Sequence, residues 1–362
     1  MSGRRISIAV EGSDVAPALP CGPTCVARRF RGRGFAHRQM ALFLSESDVR
    51  SLLTMSIALD AVEKAFLRLA DGTAVLHPRR RLHPSGGAYL HYMAAADSVD
   101  GYMGMKLYTS SRGGLRFLVP LFRVNTGELV ALLEADYLGQ MRTGAASGVA
   151  TKFMARADAR NAGIVGTGLQ ARTQLEAVAA VRKLERVRAF GRNPERRTQF
   201  CWDMSTKLGL PVEPAASAEE AVRDAGIVIA ATNSTSPVVL GKWLSPGAHV
   251  NAIGANFPHK RELDDDAVSR ASIIAADSIE QSRQEAGDLI QSFAGDETRW
   301  SAICELSEIV AGRIPGRNNA QQVTLFKSNG IAIEDVVVAA RVFELARERQ
   351  LGLRIPLWEH CG

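Results

Sequence analysis

Ala162-Gly163-Ile164-Val165-Gly166-Thr167-Gly168-Leu169-Gln170-Ala171 reads as a short apolar strand, a glycine turn and the opening of a helix. Gly166, Gly168 and Ala171 give the spacing G-x-G-x-x-A. Gly166 permits a tight turn after the strand. Gly168 has no Cβ, so a pyrophosphate can rest against the backbone, and Ala171 lets helix and strand pack closely. The helix N-terminus adds free N–H groups and the positive end of its dipole. Further along, Ala171, Leu175, Val178 and Val181 share one helical face, and Val187-Arg188-Ala189-Phe190-Gly191 reads as a second strand. This is a strand–helix–strand unit of the length a parallel crossover needs. Where NAD-binding chains usually carry an acid for the ribose hydroxyl, this one has Arg192 and Asn193, with Arg196 and Arg197 behind. A guanidinium suits a 2′-phosphate, so NADP(H) is expected in preference to NAD(H).

Working outward, residues 158 to about 312 extend this pattern into an α/β dinucleotide domain. Pro211-Val212-Glu213, Gly226–Ala230, His249–Gly254 and Ser272–Ala276 read as strands three to six, with Ser217 capping the helix between the third and fourth. Thr232-Asn233-Ser234 and Ala255-Asn256-Phe257-Pro258 leave the carboxyl ends of strands four and five, where ligands of such sheets bind. Upstream lies an α+β domain. Ser45, with Asp48 three residues on, opens one helix, and Ala58, Val62, Ala65, Phe66 and Leu69 mark the apolar face of the next. Strand-like runs follow at 79–83, 88–93, 102–108, 117–122 and 129–133, the last entered through the turn Asn125-Thr126-Gly127-Glu128. Residues 137–155 read as a helix rich in small residues, half explained by tight helix packing. Arg142 sits there among Leu138, Met141 and Ala145. A buried arginine needs an anion, and a substrate carboxylate would serve. From about 315 the chain is expected to leave the nucleotide domain, Thr324–Gly330 as strand and turn and 331–350 as an amphipathic helix packing on the first domain. The division is thus 1–39, 40–150 with 315–362, and 151–314.

The 362 residues allow two domains, and the charged and apolar fractions, 23% and 46%, are ordinary for a globular protein. The net charge of +6 points away from nucleic acid once located: residues 1–39 hold seven arginines against Glu11 and Asp14, so the remainder is nearly neutral. Those residues show no period and read as a disordered leader. No apolar run is long enough to span a membrane. The five cysteines are scattered without C-x-x-C or zinc spacing, so no metal is expected and free thiols in the cytoplasm are.

From about Met40 to Gly352 the chain resembles the ornithine cyclodeaminase/mu-crystallin family. Five blocks in order carry the resemblance: Tyr102-Met103-Gly104-Met105-Lys106, Gln140–Ser147, the glycine turn from Gly166, Val250–Ala255, and Thr324–Gly330. It implies a homodimer joined through the first domain, and an amino acid or cyclic imino acid substrate whose carboxylate is gathered by cations. The matching positions are Arg80 (in Pro78-Arg79-Arg80-Arg81, register open by one), Lys106 and Arg142. Cofactor contacts are assigned to Gly166, Gly168, Leu169, Gln170 and Ala171 of the turn, to Arg192 and Asn193, to Thr232, and to Thr143 and Ser328 of the resembling blocks. Two departures matter. Where cyclodeaminases and alanine dehydrogenases of the family carry an aspartate after the fifth strand, this chain has Asn256, which cannot act as a base. The family's glutamate on the strand after the early arginine falls at His91. Both residues are placed in the site, Asn256 toward substrate and His91, with Lys106 and His259, as candidate proton donors. The expectation is therefore an NAD(P)H-dependent reductase of cyclic ketimines of the Δ1-pyrroline- or Δ1-piperideine-2-carboxylate type. The alternatives are a cyclodeaminase or amino acid dehydrogenase with a different base, and a non-catalytic NADP(H)-binding protein.

Overall fold

The computed structural model describes residues Gln39–Leu357. The arginine-rich leader, up to residue 38, lies outside them. Strand β1 (Gln39–Leu44) opens the described chain. Ser45 then caps α1 (Glu46–Leu52): its hydroxyl accepts from the Asp48 amide at 3.3 Å and the Asp48 carboxylate accepts from the Ser45 amide at 3.0 Å. Helix α2 (Met55–Ala70) starts from Thr54 and buries Ala58, Val62, Ala65 and Phe66, the face its periodicity marks.

Four antiparallel hairpin steps follow through β2 (Ala74–Leu82), β3 (Tyr89–Asp97), β4 (Tyr102–Ser111), β5 (Gly114–Arg123) and β6 (Leu129–Glu134). The chain's last described strand, β15 (Leu353–Leu357), returns to pair with β1, which runs parallel to β6. Helices α2, α3 (Asp136–Met154) and Ala332–Glu348 pack on one face of this sheet around a shared core. The small residues of α3 are there for contact. A Cβ on Gly144 would fall 2.4 Å from the Thr173 carbonyl oxygen of α4 (Leu169–Val181), and one on Gly148 would fall 2.6 Å from the Leu59 side chain.

The second sheet is parallel throughout. It contains β7 (Asn161–Val165), β8 (Arg186–Phe190), β9 (Val212–Pro214), β10 (Ile227–Ala230), β11 (His249–Ala252), β12 (Ala271–Ala276), β13 (Cys304–Glu305) and β14 (Val323–Lys327). In space the order is β13-β12-β14-β11-β10-β7-β8-β9. The chain runs outward from β7 to β9, then restarts at β10 on the other side of β7. Such a reversal leaves a crevice beyond the carboxyl ends of β7 and β10, the binding place in doubly wound sheets. The expected boundary at 315 is corrected here. Val323–Lys327 lies inside this sheet, hydrogen-bonded to β11 and β12, and the chain leaves it only at Gly330. A five-residue apolar strand carries no mark of which sheet it will join, and proximity in sequence to the last helix does not decide it. That helix, Ala332–Glu348, does pack on the first sheet as expected. No helix among the described residues is long and apolar enough to cross a membrane.

Candidate active site

A cleft of about 940 Å³ runs between the two sheets, its walls formed by the carboxyl ends of β7, β8, β10 and β11 on one side and by β4, β5 and α3 on the other. On the first wall, Gly166 adopts φ +114°, and a Cβ there would lie 2.3 Å from the Ala231 carbonyl oxygen, so the turn is closed to any other residue. The position a Gly168 Cβ would take has nothing within 4 Å: the backbone is bare toward the cleft. Gly168 caps α4 without a side-chain bond, which leaves the first N–H groups of that helix for a ligand. Gln170 lines the same place with a buried Oε1 that has no partner among the described residues. Leu169, Arg192, Asn193, Arg196, Thr232 and Ser328 also line the cleft. Asn193 fixes the turn after β8 by accepting from the Arg196 amide at 2.8 Å. A bare glycine, uncapped helix amides and an unpaired amide oxygen fit a dinucleotide, with the phosphates at Gly168 and the adenosine end toward Arg192. Ala171 faces away from the cleft and is buried against β7, the packing role its size predicts.

The opposite wall is cationic. Lys106 and Arg142 both line the cleft and both are buried. Lys106 Nζ donates to Asp335 Oδ1 at 3.0 Å and lies 5.1 Å from the Phe117 ring centroid. Arg142 donates through Nε to the same Asp335 oxygen at 3.1 Å and through a terminal nitrogen to Glu334 Oε2 at 2.8 Å. Burial and the neighbouring Arg142 charge pull the Lys106 pKa down to about 8, against Asp335, which raises it. Burial also works against charge on Arg142, but Asp335 and Glu334 outweigh it and hold that group above the ordinary arginine range. Burial pushes Glu334 up to about 8, with Arg142 opposing. Gly139 makes room for the ammonium: a Cβ on it would stand 3.0 Å from Lys106 Nζ.

Two placements are corrected. Arg80 is exposed, and Arg79 is the arginine that enters the cleft. The β2–β3 register shifts between His77 and Arg80, so Pro78 and Arg79 are buried in succession and strict alternation fails there. Arg79 donates to Glu285 Oε2 at 2.6 Å and to the carbonyls of Asn329 and Gly330 at 2.9 and 3.0 Å, tying the first sheet to the second. His91 is outside the cleft. Its ring stacks on Tyr108 at 4.2 Å, its Nε2 shares a hydrogen with Ser110 Oγ at 3.0 Å, and burial with Arg81 and Arg79 nearby pulls its pKa down to about 4. At neutral pH it is uncharged and one ring behind the cavity, a poor place for a proton donor. His259 is exposed beside Phe257.

A model of the ornithine cyclodeaminase/mu-crystallin family matches residues 39–350. The chain belongs to this family. Among the family members it is similar to is a Δ1-pyrroline-2-carboxylate reductase of Bacillus cereus, 34% identical over 87% of this chain and 99% of that one. The ketimine reductase mu-crystallin of Rattus norvegicus is 31% identical over 85% and 98%. The structure of Thermococcus litoralis Δ1-pyrroline-2-carboxylate reductase in complex with NADH and L-proline aligns with a TM-score of 0.82 at 37% identity, covering 87% of this chain and all of that one. With its family the chain is an NAD(P)-dependent oxidoreductase built on a Rossmann-type domain.

The family's blocks contain the cations but gave no notice of their acids. Glu334 and Asp335 went unmarked, although two adjacent acids in the first turn of a helix otherwise buried nearly all round were a signal. Asp277 was also missed. Its carboxylate accepts from the amides of Asn329 and Gly330 at 2.7 and 2.6 Å and from Ser328 Oγ at 3.2 Å, shaping the turn between β14 and the last helix. Asn256 lines the cleft with no side-chain hydrogen bond among the described residues, and the Thr143 hydroxyl, also on the cleft, donates to the Gly139 carbonyl at 2.7 Å.

Proposed function

We propose that the protein reduces a small cyclic imino acid of the Δ1-pyrroline-2-carboxylate or Δ1-piperideine-2-carboxylate type, with NADPH in preference to NADH, as a cytoplasmic homodimer. One observation carries the reading: two buried cations, Lys106 and Arg142, face across a single cleft toward the bare backbone at Gly168. A nicotinamide dinucleotide held there supplies the hydride. The chain's own residues do the rest. Lys106 has donors beyond the one spent on Asp335 and takes the substrate carboxylate, with Arg142 behind it fixing the angle. Because burial brings the Lys106 pKa down to about 8, it also serves as the proton source that keeps the imine nitrogen cationic. Tyr108, Leu115 and Phe117 close the cleft beside Lys106 and exclude water from the reacting carbon. Asn256, where a base would be needed to draw a proton from an amino acid, offers only an amide, which favours imine reduction over deamination.

Support for NADPH is the pair Arg192 and Arg196 at the end of β8, neither of them in an ion pair among the described residues. Support for the dimer is the face of the first sheet left uncovered by the described residues, where Val75, Leu82, Leu90 and Leu118 stand more than a third exposed. The deciding assay follows NADPH and NADH oxidation with the two cyclic imines, beside ammonia release from ornithine with catalytic cofactor. Imine-dependent oxidation is expected; ornithine deamination without it overturns the proposal, and tight NADPH binding with no turnover leaves only a nucleotide holder.

A further inference from the structure

Behind the cleft, in the loop that follows β11, lies a carboxylate with no role in holding substrate. Glu262 is fully buried. Its Oε1 accepts from the Thr232 amide at 2.5 Å and its Oε2 from the Gly254 amide at 2.5 Å. These amides belong to different loops, one leaving β10 and the other leaving β11. The two loops touch backbone to backbone, since a Cβ on Gly254 would lie 1.7 Å from the Thr232 carbonyl oxygen. Glu262 is itself held at its main chain. Its N–H and that of Leu263 donate to Asp288 Oδ1 at 2.7 and 2.9 Å, and its carbonyl accepts from Val238 and Val239 at 2.8 and 2.9 Å. Asp288 is anchored in turn by the buried Lys327 of β14 at 3.1 Å. So a carboxylate that is costly to bury is spent, among the described residues, on two peptide N–H groups, with Lys327 the cation nearby that favours its charge.

The strand order says what those loops serve. With phosphates at the β7 turn and the adenosine end toward Arg192 in the turn after β8, the other end of a dinucleotide must lie over β10 and β11. Thr232, Gly254 and Asn256 line the cleft there. We infer that Glu262 is a positioning residue: it staples the β10 and β11 loops into one rigid floor under the nicotinamide end of the cofactor. The inference rests on the proposed function only as far as nucleotide binding. An isosteric amide cannot do this work, because it has one acceptor oxygen, and its NH2 would confront the second N–H.

The test uses the full-length protein and Glu262→Gln. Dissociation constants are measured by fluorescence for NADPH and for adenosine 2′,5′-bisphosphate, which lacks the nicotinamide end. Hydrogen exchange of the 231–236 and 253–257 peptides is followed without nucleotide. In the wild type, the Thr232 and Gly254 amides exchange slowly although they lie in loops. In the variant both segments exchange faster, NADPH binds about tenfold more weakly, and the bisphosphate binds within about twofold of wild type. Fast exchange of both amides in the wild type overturns the inference without reference to any variant. So does unchanged NADPH binding in E262Q, and so does equal loss of both ligands, which assigns Glu262 to the fold at large. A wild type that binds NADPH but reduces no imine refutes the proposed reaction and leaves the staple standing.

Discussion

Lys106 Nζ and Arg142 Nε converge on one oxygen of Asp335, at 3.0 and 3.1 Å, with all three side chains buried. Lys106 is the member whose charge is in play, since its pKa is drawn down to about 8 by burial and by Arg142. The ammonium is present below that value and lost above it. Affinity for a carboxylate ligand that does not itself titrate in this range, such as pyrrole-2-carboxylate, is therefore flat at neutral pH and falls as pH rises through about 8. Lys106→Ala removes both the dependence and the binding, lowering kcat/KM by at least about 100-fold. A pH-independent inhibition constant up to pH 9 contradicts the assignment.

Asp335→Asn tests the same cluster from the other side. The amide leaves Lys106 without its buried carboxylate partner, while Arg142 keeps Glu334, and breaking a buried pair in this way costs about 3–5 kcal/mol. Asp335 is the neighbour that raises the Lys106 pKa. Its neutralisation therefore moves the alkaline limb of the pH profile to lower pH. Denaturant unfolding together with the profile reads both effects, and a stable variant with an unshifted limb shows that Asp335 does not govern Lys106.

The nucleotide side of this site was legible because its signals are local. Gly166, Gly168 and the strand before them lie within a few residues, and the turn does what the spacing says. The cationic side was legible only by half. Arg142 stands out as a charge in an apolar segment and Lys106 through the family resemblance, but Glu334 and Asp335 lie about 190 residues beyond Arg142, and nothing local announces a partner at that distance. This also changes what Arg142 means. By sequence a buried arginine awaits a substrate anion, whereas two of its nitrogens are already satisfied within the chain. The early arginine, implied by the resemblance at Arg80 with its register open by one, falls at Arg79 for another reason. Alternation fixes facing only while register holds, and β2 slips at Pro78-Arg79.

That slip makes a direct comparison. Arg79→Ala strips Glu285 of one of its two guanidinium partners, takes the Arg79 donor from the Asn329 carbonyl and leaves the Gly330 carbonyl to Gln281 Nε2. It should lower stability by about 3–5 kcal/mol and impair turnover. Arg80→Ala, on the exposed face, should stay within about 0.5 kcal/mol of wild type. Thermal unfolding of the two variants side by side decides which arginine the cleft uses; equal effects contradict the register described here.

Arg192 gives the cofactor prediction. Arg197, on the helix Pro194–Leu208 that follows Arg192, turns inward to the Gly191 carbonyl at 3.2 Å, which leaves Arg192 and Arg196 for a 2′-phosphate. Arg192→Gln should raise KM for NADPH by about 10-fold or more, the value of one or two hydrogen bonds to a charged group, with KM for NADH within about twofold. A parallel loss with both cofactors places Arg192 against the adenine or the diphosphate.

The uncovered sheet face yields the last test. Leu90 and Leu118 lie on β3 and β5 beside inward-facing His91, Phe117 and Val119, so strand alternation turns them outward, away from every helix packed on that sheet. A wide apolar face of this kind is stable in water when a second copy covers it, and the two-fold arrangement lets one surface serve both partners. Leu118→Glu places a carboxylate beside its own symmetry mate or against apolar side chains, and a charge buried without a partner is costly in either case. Light scattering should give a dimer for the wild type and a monomer for the variant, with α/β circular dichroism retained. A wild-type monomer, or a dimer untouched by the substitution, locates the interface elsewhere.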